Sequence, residues 1–213
     1  MKKINELLLG LFFIASLVMI AGCGDDDDDD NDDMDPDAEN PEEVITDVTL
    51  TFTPDGGGAA ITATAEDPDG EGPEDLEITQ DIELAANTTY TLTIDLLNAE
   101  DPDDVESITE EIDEEADEHM FFFAWTGDVF SDPEGNGNAD NREDVVNYND
   151  EDSAGLPLGL STTWTTGDAS TGTLRIALKH QPEAPDGTAV KTETSTINDG
   201  DSDIDITWDV TIE

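Results

Sequence analysis

Cysteine occurs once in the 213 residues, at position 23, so neither a disulfide framework nor a thiolate zinc cage is available. Basic residues number 6 against 57 acidic ones, a formal charge of −51. Such poverty in lysine and arginine provides no basic stripe for a phosphate backbone, which excludes nucleic acid as a partner. It also leaves little with which to clamp a nucleotide. Histidine occurs twice, at His119 and His180, and neither lies in an H-E-x-x-H or H-x-E pattern. No G-x-S-x-G elbow surrounds Ser153 or Ser161, and no glycine-rich loop joins a strand pattern to a helix pattern. Paired carboxylates are too abundant to single out a glycosidase couple. These absences argue against an enzyme.

What is present begins with an address. Lys2 and Lys3 precede an apolar run of 14 residues from Leu7 to Ile20. As a helix that run covers about 21 Å, short of the ~30 Å hydrocarbon core, so a signal peptide fits better than a permanent span. The run ends in Ile20-Ala21-Gly22-Cys23, which resembles the lipobox of bacterial lipoproteins. Small side chains at Ala21 and Gly22 let a peptidase approach the backbone, and the thiol of Cys23 would accept the diacylglycerol. The resemblance implies removal of residues 1–22 and a membrane anchor at Cys23 carrying the two or more acyl chains that stable attachment needs.

Residues 24–43, GDDDDDDNDDMDPDAENPEE, contain 13 acidic residues and no periodic apolar position. Nothing there offsets the entropy of ordering, so a disordered, charge-extended tether spanning residues 23–43 is expected. Acidic clusters just after a lipidated cysteine resemble the surface-export signal of Bacteroidetes lipoproteins. That likeness implies an outer-membrane position facing the cell exterior. Gly24, not aspartate, follows the cysteine, so an inner-membrane retention signal is not matched.

Residues 44–213 suit one domain dominated by period-two alternation. Val48, Leu50 and Phe52 form one apolar row; Ala59, Ile61, Ala63 and Ala65 form another; Tyr90, Leu92, Ile94 and Leu96 a third. Further rows are Phe121, Phe123, Trp125; Leu160, Thr162, Trp164; Leu174, Ile176, Leu178; and Ile204 through Ile212. A short strand is expected at Glu77–Leu84. Threonines fill many of the intervening positions, so the expectation is an all-β, antiparallel, Ig-like sandwich of seven or eight strands. Trp125, Trp164 and Trp208 belong to its core. One interruption has helical spacing, with Val105, Ile108, Ile112 and Ala116 as its apolar face and Asp101, Asp103 and Asp104 near its start.

Two acidic loops suggest calcium, which takes six to eight oxygen ligands. The first offers Asp67, Asp69, Glu71 and Asp75; the second offers Asp132, Glu134, Asn136, Asn138 and Asp140, with Asn147, Asn149, Asp150 and Asp152 following. The competing explanation is that aspartate, asparagine, glycine and proline are turn residues. His119 stands at the start of the Phe121 row and His180 at the end of the Leu178 row. If those strand ends met, two imidazoles would be available to a metal or haem; each would otherwise hydrogen-bond a backbone carbonyl.

At EADEHMFFFAW (115–125), VNYNDEDSAGLPLGLSTTWTTG (146–167), LRIALKHQP (174–182) and DSDIDITWDV (201–210), the chain resembles a family of small acidic Bacteroidetes lipoproteins without established activity. Its members often carry the label "type 1 periplasmic binding fold superfamily protein". The label implies two α/β lobes, whereas the residue pattern implies a sandwich. The functional expectation is a lipid-anchored binding or structural module with a glycan, peptide or protein ligand. The alternative is a calcium-stabilised adhesin or a metal- or haem-capturing lipoprotein.

Overall fold

The computed structural model describes residues 43–67, 75–139, 144–184, 187–188 and 190–213. The signal segment, Cys23 and the tether to residue 42 lie outside them. Eleven strands and one helix occur among the described residues: β1 (Asp47–Pro54), β2 (Ile61–Glu66), β3 (Glu77–Gln80), β4 (Ile82–Leu84), β5 (Thr89–Asn98), β6 (Glu106–Ser107), α1 (Ile108–Glu114), β7 (His119–Thr126), β8 (Phe130–Asp132), β9 (Ser161–Thr166), β10 (Ser170–His180) and β11 (Asp201–Ile212). The fold is an all-β sandwich. One sheet runs β3-β2-β1-β5-β9-β8 with β6 on β5, and the other runs β4-β11-β10-β7.

The alternating rows supply the interior. Leu50, Phe52, Leu92, Ile94 and Trp164 from the first sheet share one cluster with Phe121, Phe123, Leu174, Ile176 and Trp208 from the second. Trp164 sits among aromatic neighbours, with the Trp125 ring 5.1 Å away at 88° and Phe130 at 4.6 Å. Edge-to-face contact of this kind suits the aromatic quadrupole. On the outer face of the first sheet threonines align across strands: Thr51 pairs with both Thr62 and Thr93.

Three local departures from the sequence reading have physical causes. The expected strand at 77–84 divides at Asp81: Ile78 pairs with Ala65 in the first sheet, whereas Ile82 pairs in parallel with Val210 in the second. That parallel pairing is an exception to the antiparallel expectation. The helix begins at Ile108, later than the apolar spacing suggested, because Glu106 and Ser107 are extended against Asn98 and Leu97. Ser107 then caps it, its side chain accepting from the Glu110 N–H, and Val105 is left 50% exposed. Asp101, Asp103 and Asp104 form a turn ahead of the helix and not its first turn. The brief strands β6 and β8 have too few residues to show alternation.

The edge strand β7 is covered by the following loop. Asn138 and Ala139 donate backbone N–H groups to the Phe123 carbonyl, and Phe121 donates to Leu158. Gly137 has φ of 101°, and a Cβ there would collide with the Phe123 carbonyl, so only glycine permits this close approach. Covering the edge also blocks strand addition from another chain. Met120, Phe122, Ala124 and Ala139 form a small second cluster beneath the cover.

Candidate metal centre

The antiparallel register of β7 and β10 pairs Leu178 with Phe121 and His180 with His119. Each histidine therefore continues an inward row of its strand, and the two rows end side by side. Their rings are stacked, with centroids 4.6 Å apart and an interplanar angle of 7°. His119 is 0% exposed and His180 is 2% exposed. The possibility raised by the sequence, that these strand ends meet, is the arrangement found.

The helix and its exit turn close this end of the sandwich. Ile108 and Ile112 are buried, and the chain turns at Glu115. The Glu115 carbonyl lies 3.2 Å from His119 Nδ1. A carbonyl oxygen only accepts, so Nδ1 carries the proton and Nε2 of the neutral ring presents its lone pair. Burial pushes His119 down to about 4, with His180 and Lys191 adding to that effect and the Glu115 carbonyl opposing it. The ring is therefore neutral at physiological pH.

The surroundings are acidic. Asp203 Oδ2 lies 3.9 Å from His119 Nε2, both side chains being 0% exposed, and Glu118 Oε2 lies 3.5 Å from His180 Nε2. Asp203 arrives there through a β-bulge: Leu178 pairs with Ile204 and Lys179 with Ser202, leaving Asp203 as the additional residue. Bulges commonly re-aim a side chain in this way. Glu43 is raised to about 7, first by burial and then by Glu111, with which it shares a hydrogen bond; Asp203 and Glu115 contribute further. Positive charge is scarce. Lys191 is buried, but its Nζ is tied to Asp152 at 2.9 Å and donates to the Ala116 carbonyl at 2.6 Å.

Nε2 of both histidines is buried without a hydrogen-bond partner. Leaving such an atom unsatisfied costs about 1–3 kcal/mol. Donor atoms of Glu115, His119 and His180 all fall within 4.8 Å of one another, the one such group of three His, Cys, Asp or Glu side chains among the described residues. Two imidazoles whose Nε2 atoms make no hydrogen bond, with a carboxylate beside them, form a donor set for a first-row divalent ion. Parallel rings lying side by side do not oppose each other across a porphyrin plane, so the geometry favours a bare ion over haem.

The residues of the two calcium loops are placed differently. Asp132, Glu134 and Asn136 are exposed. Asn138 is committed to the fold: its Oδ1 accepts from the Phe123 N–H at 2.9 Å, and its Nδ2 donates to the Tyr148 hydroxyl at 2.8 Å. Asp67 is buried, Asp75 is exposed, and Asp69, Glu71 and Asp140 lie outside the described residues. Asp150 accepts from the Gly159 and Ser161 N–H groups, and Asp152 Oδ1 accepts from Ala154 and Leu156. These two carboxylates shape the loop that covers β7.

The sequence offers both histidines as candidates and gives no sign that Glu115 or Asp203 lies beside them. Glu115 precedes His119 by four residues, the spacing of one helical turn, but in so acidic a segment that spacing carried no signal. Asp203 reaches the centre only through the bulge, which alternation cannot forecast. Among known proteins, no family model, curated sequence or solved structure matches the chain.

Proposed function

We propose that the chain is a lipid-anchored, outer-membrane binding module facing the cell exterior, whose bound species is a divalent metal ion held by Glu115, His119 and His180. The observation that carries this reading is the stacked, buried histidine pair with both Nε2 atoms lacking a hydrogen-bond partner. A fold that merely needed to fill this space would place apolar side chains there, as the same rows do at Phe121 and Leu178. The lipobox at Cys23 supplies the anchor, and the acidic stretch after it supplies the spacer and the likeness to an export signal.

Thermal unfolding with added metal tests the reading. An ion that binds the folded state alone raises stability by about 2.7 kcal/mol at a hundred times its Kd. Zinc or cobalt is expected to raise the Tm of the wild-type chain and to leave an H119Q/H180Q double variant unchanged. Equal shifts in both proteins, or none in the wild type, would refute it.

A further inference from the structure

We propose that Lys191 and Asp152 are the two halves of an intramolecular cross-link, an isopeptide bond between Lys191 Nζ and the side-chain carboxyl carbon of Asp152. Both side chains are 0% exposed, and Nζ stands 2.9 Å from Asp152 Oδ2. No bound ion is needed for it.

A plain buried ion pair is the competing account. Such a pair is stable when hydrogen bonds satisfy its remaining lone pairs and protons. Here one oxygen is left out: Oδ2 accepts no hydrogen bond, although the ammonium stands beside it. Lys191 donates to the Ala116 carbonyl at 2.6 Å. The other carboxyl oxygen is held firmly. Asp152 Oδ1 accepts from the Ala154 N–H at 2.8 Å and from the Leu156 N–H at 2.9 Å.

These are the contacts that the amide itself requires. Oδ1 becomes its carbonyl oxygen and already faces two N–H donors. Its single N–H keeps the Ala116 carbonyl as acceptor. The atom that leaves is Oδ2, the one without a hydrogen-bond partner. Two buried charges and an orphaned oxygen are thereby exchanged for a neutral amide with each polar atom bonded.

Condensation needs no oxidant, cofactor or second molecule. One ammonium proton passes to Oδ2, leaving a neutral amine and a neutral acid, a transfer that removes two charges from a buried place. Burial is the first influence on Lys191 and lowers its pKa, with Asp152, Asp117 and Asp150 opposing. The Nζ lone pair then bonds to Cγ, and the C=O π pair moves onto Oδ1, where the two backbone N–H groups stand at oxyanion-hole distance. As that pair returns, the Cγ–Oδ2 bond breaks, and the hydroxyl leaves with a second Nζ proton as water. Groups fixed side by side react without a diffusional encounter. The bond joins the loop over β7 to the segment between β10 and β11, and so fastens the cover that blocks strand addition.

Peptide mapping of the full chain decides the matter, because trypsin cuts after lysine and arginine but not after an acylated lysine. Wild-type chain held folded at neutral pH, then denatured and digested, is expected to yield peptide 143–175 joined to peptide 180–213. The joined species should be lighter than the sum of the two by the mass of one water, with fragment ions placing the bond between Lys191 and Asp152. K191R and D152A should each release 143–175 unjoined, and K191R should be cut after position 191. If the wild type releases 143–175, 180–191 and 192–213 as separate, unmodified peptides, the cross-link does not form and the proposal is overturned. Joined peptides in D152A, or fragment ions placing the bond on another carboxyl, would overturn the assignment of Asp152.

Discussion

His119 gives its only ring proton to a backbone carbonyl and is held down to about 4 by burial first, so the folded chain keeps it neutral where an unfolded chain would begin to protonate it near 6.5. In the metal-free protein its contribution to stability is therefore full above 6.5 and is lost as the pH falls towards 4. Glu43 works in the opposite sense. Raised from 4.5 to about 7 by burial and by Glu111, it holds a proton in the folded state that the unfolded chain has released. Its contribution falls as the pH rises between those values. Denaturant unfolding of the chelated protein across this range should show H119Q flattening the acid-side loss and E43Q flattening the loss towards neutral pH. If both variants follow the wild-type curve at every pH, neither group titrates as described. A third residue-scale prediction concerns Lys191. Replacing it with methionine would leave the buried Asp152 carboxylate without its cation, at a cost of about 3–5 kcal/mol in the free energy of unfolding measured with denaturant. A loss below 1 kcal/mol would mean that water reaches the pair.

At the scale of elements, the loop over β7 does what an edge strand needs, and Asn138 is its main peg. N138A removes the acceptor of the Phe123 N–H and a donor to Tyr148, and should cost about 1–3 kcal/mol by denaturant unfolding, with calcium making no difference. A calcium-dependent loss would instead place the ion among these loop residues. The eight expected strand regions were legible because alternation with threonine survives even in so acidic a chain. Leu50 and Phe52, Leu92 and Ile94, and Leu174 and Ile176 all face inward as their spacing requires. What was not legible depends on pairing. Nothing local marks Asp81 as the point where the chain leaves one sheet for the other, and nothing in residues 105–108 shows that extended pairing with β5 delays the helix. The histidine centre was half legible for the same reason. Both residues were visible as row ends, but only the register of β7 against β10 brings the rows together, and only a bulge brings Asp203 to them.

For the whole molecule, the scarcity of basic residues has two separate consequences. A formal charge of −51 makes the chain repel itself, and salt screens that repulsion. The Tm should therefore rise from dilute buffer to strong salt, even for H119Q/H180Q; a flat response would show that self-repulsion is not a significant term. The second consequence is local. With Lys191 committed to Asp152 and Ala116, the histidine pair stands among carboxylates at the acidic end of the sandwich, the setting in which the proposed cation would bind. Anchoring and display are tested on cells: C23A should lose lipid labelling, and protease added to intact cells should cut the wild-type domain. Metal content decides whether the histidine pair holds an ion. Wild-type and H119Q/H180Q chains would be equilibrated with zinc, freed of loosely held ions by gel filtration in salt, and measured for metal per chain. One zinc per wild-type chain and none in the double variant is the expected result. A metal-free wild type, or equal zinc in both, would contradict it.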